Sequence, residues 1–414
     1  MCDIIAGELI VSFSKEDRIA RRMMDNLREG PPGLLSHVQD LQDRLKEIGL
    51  AYDTRYRFEF HRVAVPHGLE QWAVTQLHQN YAHHAALTRV PVRPEDALIA
   101  VPASRLSLTA GTPASTSVQA TDFDFSVEHT TYKSMLNASS AHPDVKDVHI
   151  AIVDSGIADD YASAIAGKHN LLDKNQAAVV SDERGHGTAI ASIIHDLAPG
   201  AKLHIFKVTD AANGPGEWDV LAALAACNNV HIVNMSLQYG LADRTCGTCG
   251  RQSQSSRSAV FERMIGQLSA LQPEPLMIAA AGNWKDKQLA FPARFGDVIA
   301  VGSITSQYVL SSFSNTGDVD HNNQPHDNHY VLPGGESDPA AAESVGEFQS
   351  QGKPLMGTSY AVAYASGVAA NLLAQQGVKS YQKGQFLTYL RSQADASQLV
   401  NYRFDEHGQG VLQL

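Results

Sequence analysis

A serine hydroxyl is a weak nucleophile until a base takes its proton, and the base works best when a carboxylate orients it. The negative charge that then builds on an attacked carbonyl needs donors already in place. The chain of 414 residues offers each of these parts at a strand end or a helix start. Asp154 closes the apolar run VHIAIVD, so a buried strand delivers a carboxylate at its C-terminal tip. His186 stands between Gly185 and Gly187 in GHGT, which leaves room around the imidazole before the helical run AIASIIHDL. Ser359 opens a helix of very small residues, GTSYAVAYASG, whose unpaired N–H groups and positive dipole end meet the hydroxyl. The Ser359 amide is then one donor to the oxyanion, and the side-chain N–H of Asn283, at the end of MIAAAGN, is the other.

Taken singly these are ordinary features. An Asp after a strand is commonly a turn residue, a Ser at a helix start commonly an N-cap, and GHGT commonly a turn. Four complementary parts in the chain order Asp, His, Ser make one nucleophilic site the better reading.

The elements that must position these residues are legible from about residue 146. Short Val- and Ile-rich runs (VHIAIVD, KLHIFKV, VHIVNMSL, LMIAAAGN, VIAVGSI) alternate with helical patterns from 187, around 217 to 227 and from 258. Such alternation predicts an α/β fold, a mostly parallel sheet with helices on both faces, whose chemistry collects at the carboxyl ends of the strands. Ahead of it, GELIVSF and the stretch from Tyr56 to Val65 read as strands, and Ala97 to Val101 as a last one. Leu34, Leu35, Val38, Leu41, Leu45 and Ile48 fall at helical spacing, with a break at residues 30–33, and Leu69 to Leu77 reads as a further helix. This is a small α+β domain over residues 1–102. Residues 103–120, rich in Ser, Thr, Ala and Gly and without periodicity, predict a flexible linker, leaving 121–414 as the catalytic domain.

Composition narrows the function. A net charge of −12 with scattered Lys and Arg lacks the basic footprint of a nucleic-acid binder. No apolar run approaches the roughly 18 residues a membrane span needs, and the start MCDIIAGELIVSF lacks the basic region of a signal peptide. The expected partners therefore exclude nucleic acid and membrane. Cys2, Cys227, Cys246 and Cys249 are too few and too uneven for a disulfide framework, so a reducing, cytoplasmic location is expected.

VDSGI, GHGTAIASII and GTSYAVAYASG resemble the three signature blocks of the subtilisin-like serine peptidases (subtilases, family S8). The resemblance runs over about residues 130 to 375, through APGAKLHIFKV, VHIVNMSLQ, AAAGN, FPARFGDVIAVGSI and SSFSNTG in the family's order. It implies a serine endopeptidase with Asp154, His186 and Ser359 as triad and Asn283 as oxyanion donor, acting on a protein or peptide through an acyl-enzyme. It further implies that Ser236, Leu237 and Gln238 line the substrate strand, that Ala280, Ala281 and Gly282 line the specificity pocket, and that the Phe291–Pro292 bond is cis. The N-terminal domain is loosely similar to the family's inhibitory prodomain, so an autoinhibited enzyme selective for intracellular proteins is expected, with a regulatory protein partner left open. No cofactor is required, and structural calcium is left open without being indicated.

Departures bear on packing and fit rather than proton transfer. Tyr360, Ala363 and Tyr364 replace the family's Met, Pro and His, and Gln238 stands where the family usually has Gly. Residues 241–257 read as an insertion whose Cys246 and Cys249 form a lone C-x-x-C, short of the four ligands of a structural zinc site. The His- and Asp-rich stretch 318–330 reads as a solvated polar loop, and His83 and His84 as solvent-facing. Two other functions stay in view: a catalytically silent subtilisin-like binding module, and a redox or metal sensor working through Cys246 and Cys249.

Overall fold

The computed structural model describes residues 4–29, 36–88, 96–104, 106–108, 119–159, 161–212, 214–227, 229–239 and 258–414. Cys2, Cys246, Cys249, the insertion at 241–257 and most of the linker at 103–120 lie outside them. In chain order the first elements are β1 (Ile4–Ser14), α1 (Arg18–Glu29), β2 (Ser36–Asp40), α2 (Leu41–Glu47), β3 (Phe58–Ala64), α3 (Glu70–Thr88), β4 (Ile99–Ser104) and β5 (Leu106–Leu108). There follow β6 (Phe123–Phe125), α4 (Glu128–Met135), β7 (His149–Asp154), β8 (Ile165–Asn170), α5 (His186–Leu197), β9 (Lys202–Lys207) and α6 (Glu217–Ala226). Next come β10 (Ile232–Met235), β11 (Leu237–Tyr239), α7 (Ala259–Ser269), β12 (Leu276–Ala280), β13 (Val298–Ile304) and β14 (His329–Pro333). The chain ends with β15 (Gly346–Phe348), β16 (Lys353–Leu355), α8 (Thr358–Gln376), α9 (Lys383–Ser392), β17 (Ala394–Asp395), α10 (Phe404–His407) and β18 (Val411–Leu412).

Two compact units result, and they do not follow the chain end to end. The first joins residues 1–106 with 216–228 and 240–271. Its sheet has the order β2-β3-β1-β4, with β1 antiparallel to both β3 and β4. Leu9, Val11 and Phe13 of β1 share a core with Met24, Val74, Leu77 and Tyr81 of α1 and α3. The alternate residues Ile10, Ser12 and Ser14 of β1 are buried as well, on the side where α7, from later in the chain, packs. The Arg263 guanidinium of α7 donates to the Ser12 carbonyl at 2.8 Å and the Ala97 carbonyl at 3.0 Å. The Gln267 Oε1 accepts from the Phe58 amide at 2.7 Å, and the Tyr56 hydroxyl donates to the Ala225 carbonyl of α6 at 3.1 Å. A strand buried on both faces explains why GELIVSF alternates imperfectly.

Two local expectations change here. Val38 lies in strand β2, paired with Val63, because the neighbouring β3 supplies a hydrogen-bonding edge that helical spacing alone does not reveal. Ala103 and Ser104 complete β4, and Leu106–Leu108 form β5, so the start of the composition-marked linker is strand.

The second unit holds residues 107–215, 229–239 and 272–414. Its sheet has nine strands in the order β17-β18-β14-β13-β12-β10-β7-β9-β8. Every adjacent pair from β8 to β18 is parallel, and β17 alone is antiparallel. This is the expected mostly parallel α/β architecture. Helix α8 is buried from Thr358 to Ala374, which its small residues permit. A β-carbon on Gly367 would stand 2.7 Å from the Leu197 β-carbon, so only glycine lets α8 and α5 approach this closely. The Phe291–Pro292 bond is cis. The stretch 318–330 is not the solvated loop expected: Asp320, His326 and His329 are buried, with His326 Nε2 bonded to the Ala293 carbonyl at 2.9 Å and His329 inside β14. His83 and His84 are exposed.

Candidate active site

Asp154 is the last residue of β7, a strand whose Ile150 to Val153 are fully buried, so the core fixes its carboxylate. The Asp154 Oδ1 lies 2.7 Å from His186 Nδ1, and both side chains are wholly shielded from solvent. The Ser155 amide also donates to this oxygen at 2.7 Å. With Nδ1–H held by Asp154, the neutral ring presents Nε2 as its basic nitrogen. The His186 Nε2 is buried and has no hydrogen-bond partner among the described residues.

The histidine is aimed by a residue that motif reading missed. Asp182, fully buried, accepts from the amides of Arg184 (3.0 Å), Gly185 (2.9 Å) and Thr188 (2.8 Å) and from the Thr188 hydroxyl (2.8 Å). It also accepts from the Ser155 hydroxyl at 2.8 Å, which ties the start of α5 to the end of β7. With five donors on one buried carboxylate, Asp182 fixes the loop that carries His186. Its signal in the sequence was an Asp four residues before the histidine, placed like a helix-start acceptor. Gly187 is needed here too: a β-carbon would stand 2.2 Å from the Gly156 carbonyl oxygen.

Ser359 is the second residue of α8, after Gly357 and Thr358. Its hydroxyl donates to the Ser236 carbonyl at 3.2 Å, beside the strand β11. The ring of the next residue, Tyr360, lies 5.8 Å from the His186 ring, so the nucleophile's own helix packs on the base. Burial, reinforced by the charges of Asp154 and Asp182, pushes the Tyr360 hydroxyl far above its ordinary pKa, so it stays neutral. Asn283 follows β12, and its Oδ1 accepts from the Thr358 amide at 2.9 Å and the Thr358 hydroxyl at 2.8 Å. These two bonds orient the amide so that Nδ2 is the group left for a substrate oxygen.

The expected substrate-lining residues are buried on neighbouring elements: Ser236, Leu237 and Gln238 at β11, and Ala280, Ala281 and Gly282 at the end of β12. Gln238 Oε1 lies 2.9 Å from where a Gly282 β-carbon would stand, which brings the two lists together. Asn315 is a second missed residue. Its Oδ1 accepts from the amides of Trp284 (2.9 Å) and Asp286 (3.1 Å), holding the turn that follows Asn283. Tyr364, which replaces a family histidine, is buried and its hydroxyl meets His129 Nδ1 at 2.5 Å. His129 in turn bonds Asp196, whose carboxyl is held down to about 2, chiefly by this bond.

Among the described residues no group of three or more His, Cys, Asp and Glu is placed to hold a metal ion, and no helix is long and apolar enough to cross a membrane. Cys227 is buried, and burial pushes its thiol well above the ordinary range.

Comparison with protein families matches the description "Subtilase family" over residues 137–409, two thirds of the chain. The chain belongs to the subtilase family. Among curated subtilases, the Major intracellular serine protease of Bacillus subtilis is 28% identical over 278 residues, 62% of this chain and 75% of that protein. The Minor extracellular protease Epr of the same organism is 31% identical over 186 residues, 42% of this chain. Alkaline elastase YaB of Bacillus sp. is 28% identical over 262 residues, 60% of this chain. The aligned part spans only 26% of Epr and 59% of the elastase. A solved structure described as a lanthipeptide protease shares the fold, with a TM-score of 0.53 at 18% identity over 73% of this chain and 97% of that one.

Proposed function

We propose that this subtilase is a serine endopeptidase in which Asp154, His186 and Ser359 act as one unit. The observation that carries the reading is the buried 2.7 Å contact between Asp154 and His186, which leaves His186 Nε2 unpaired beside the helix that bears Ser359. In the reaction, Nε2 takes the Ser359 proton as the hydroxyl oxygen bonds the substrate carbonyl carbon. Asp154 holds the imidazolium by its Nδ1–H, and the oxyanion is met by the Ser359 amide and Asn283 Nδ2. His186 returns the proton to the leaving amine; water then attacks the acyl carbon as Nε2 takes its proton, and that proton passes to Ser359 Oγ as the ester bond breaks and the carboxylic acid product leaves.

The enzyme is held back by its own chain. In support, β5 pairs with β11, the strand expected to receive substrate, and Ser107 and Leu108 of β5 open the second unit. A strand edge already paired cannot take an extended peptide by strand addition. Tethering makes even a modest intramolecular contact effective, at roughly millimolar local concentration. The reading keeps a protein or peptide as substrate and places the enzyme inside the cell, where it needs restraint near its own synthesis. The test compares the full chain with Ser359→Ala for peptide hydrolysis and for cleavage within residues 103–120, and adds residues 1–102 separately to the processed enzyme. Cleavage that requires Ser359, followed by a rise in activity that the separate module reverses, is expected. Full activity of the uncleaved chain with no inhibition in trans would refute the restraint while leaving the peptidase intact.

A further inference from the structure

Among the described residues no hydrogen bond joins the two halves of the candidate site: the Ser359 hydroxyl donates to the Ser236 carbonyl, and His186 Nε2 has no partner. Their spacing is therefore set by the helices that carry them. His186 opens α5, Ser359 is the second residue of α8, and the two helices pack on each other. A misplacement of about 1 Å between reacting groups can cost roughly 10² in rate, so whatever fixes the register of α5 on α8 bears on catalysis.

Deep in the core, α8 approaches α5 at Gly367 and Leu197, and Asn371 Nδ2 donates to the Leu197 carbonyl at 2.9 Å. At the site itself the Tyr360 ring lies 5.8 Å from the His186 ring. Tyr364 stands between these levels, one turn beyond Tyr360 and so on the same face of α8. It is tied to α5 through a third element, α4. The Tyr364 hydroxyl meets His129 Nδ1 at 2.5 Å, and His129 Nε2 meets the Asp196 Oδ2, in the last turn of α5, at 3.0 Å. An ionised carboxylate only accepts, so Nε2 carries the proton of that bond, and in the neutral ring Nδ1 accepts from the tyrosine. Lys133, one turn beyond His129 in α4, donates to the same carboxylate oxygen at 2.7 Å. The Phe125 ring stacks on the His129 imidazole at 3.8 Å and 17°, which fixes its plane. His129 and Tyr364 are buried, so water does not compete for their bond.

We propose that His129 is a positioning residue for the peptidase reaction: through Tyr364 and Asp196 it sets the register of the Ser359 helix against the His186 helix. The kinetic side of this inference rests on the triad acting as a peptidase, and the structural side on the hydrogen bonds alone.

The test uses the full chain under conditions in which it hydrolyses peptide, with the amount of active enzyme fixed by fluorophosphonate labelling. His129→Ala should lower kcat about tenfold and leave KM within about twofold, because the helix register is loosened and no substrate contact is lost. Tyr364→Phe keeps the ring and removes the hydroxyl, so it should lower kcat in the same sense, and adding it to His129→Ala should change nothing further. His129→Gln, whose amide accepts from Tyr364 and donates to Asp196, should recover most of the loss. Leu390→Ala opens a cavity in the same core away from these bonds, so it should lower Tm while kcat per active site stays at the parent value. In the Ser359→Ala chain, hydrogen exchange at the amides of the first turn of α8 should quicken with His129→Ala and not with Leu390→Ala. Equal loss of kcat in Leu390→Ala, no recovery in His129→Gln, or a raised KM at constant kcat in His129→Ala would overturn the positioning role. A parent chain that hydrolyses no peptide would refute the peptidase reading instead, and the exchange result then decides whether the bonds hold the helix.

Discussion

The two halves of the candidate active site are finished to different degrees. On one side Asp154 and His186 are joined at 2.7 Å, fully buried, and locked by Ser155 and Asp182. On the other, the Ser359 hydroxyl donates to the Ser236 carbonyl at the long distance of 3.2 Å, and Asn283 is only half-buried, its Oδ1 committed to Thr358. The acid–base half is a product of the hydrophobic core, because a parallel strand buried on both faces leaves its terminal carboxylate nowhere else to go. The Ser359 half is a product of a helix start, and the proposed mechanism requires its hydroxyl to turn from the Ser236 carbonyl toward His186 Nε2. Catalytic hydrogen bonds commonly tighten only when substrate arrives.

The largest effect tests whether the halves act together. Ser359→Ala or His186→Ala should each remove nearly all peptide hydrolysis, and the double variant should add little. In subtilisin, a member of the same family, either loss costs about 10⁶ in kcat, and that figure sets the scale here. Losses that multiply in the double variant would break the comparison, because the two halves would then work independently.

Asn283→Ala should cost less, roughly 10² to 10³ in kcat with KM little changed, the scale known for the oxyanion asparagine of subtilisin. A raised KM at constant kcat would move Asn283 out of the Ser359 half and make it a substrate-binding residue.

How far this contrast was legible in the sequence follows from the same physics. The parallel sheet and the cis Phe291–Pro292 bond were legible because each depends on local runs and short motifs, and the same motifs singled out Asp154, His186 and Ser359 as candidates. Asp182 and Asn315 were not legible, because their side chains accept from backbone amides through folds of the loop that no periodicity encodes, and neither was the donation from the Thr358 amide and hydroxyl that orients Asn283. The burial of His326 was missed for a related reason: a polar residue enters a core when a backbone acceptor awaits it, and that acceptor, Ala293, is 33 positions away. Strand β2 was missed because Val38 needed a partner strand to declare its conformation.

The smallest expected effect concerns stability away from the site. His149, His204 and His231 stand together at the amino ends of neighbouring strands, with His149 Nδ1 2.8 Å from His204 Nε2. Burial first, and then the neighbouring histidines, lower His204 and His231 to about 4. In the unfolded chain both titrate near 6.5. The unfolded state therefore takes up protons first, so the folded state loses stability as pH falls from about 6.5 to about 4. Allowing for partial exposure, the pair is worth on the order of 2–4 kcal/mol. Urea midpoints of the Ser359→Ala chain should fall between pH 7.5 and 5, and His204→Gln with His231→Gln should flatten that fall. An unchanged slope would show that the cluster is solvated.

The most direct measurement of the central claim is covalent labelling with a fluorophosphonate, under conditions in which the enzyme hydrolyses peptide. The account predicts a single adduct on Ser359, absent in Ser359→Ala and strongly slowed in His186→Ala. An adduct on another serine, or peptide hydrolysis that persists in Ser359→Ala, would contradict it.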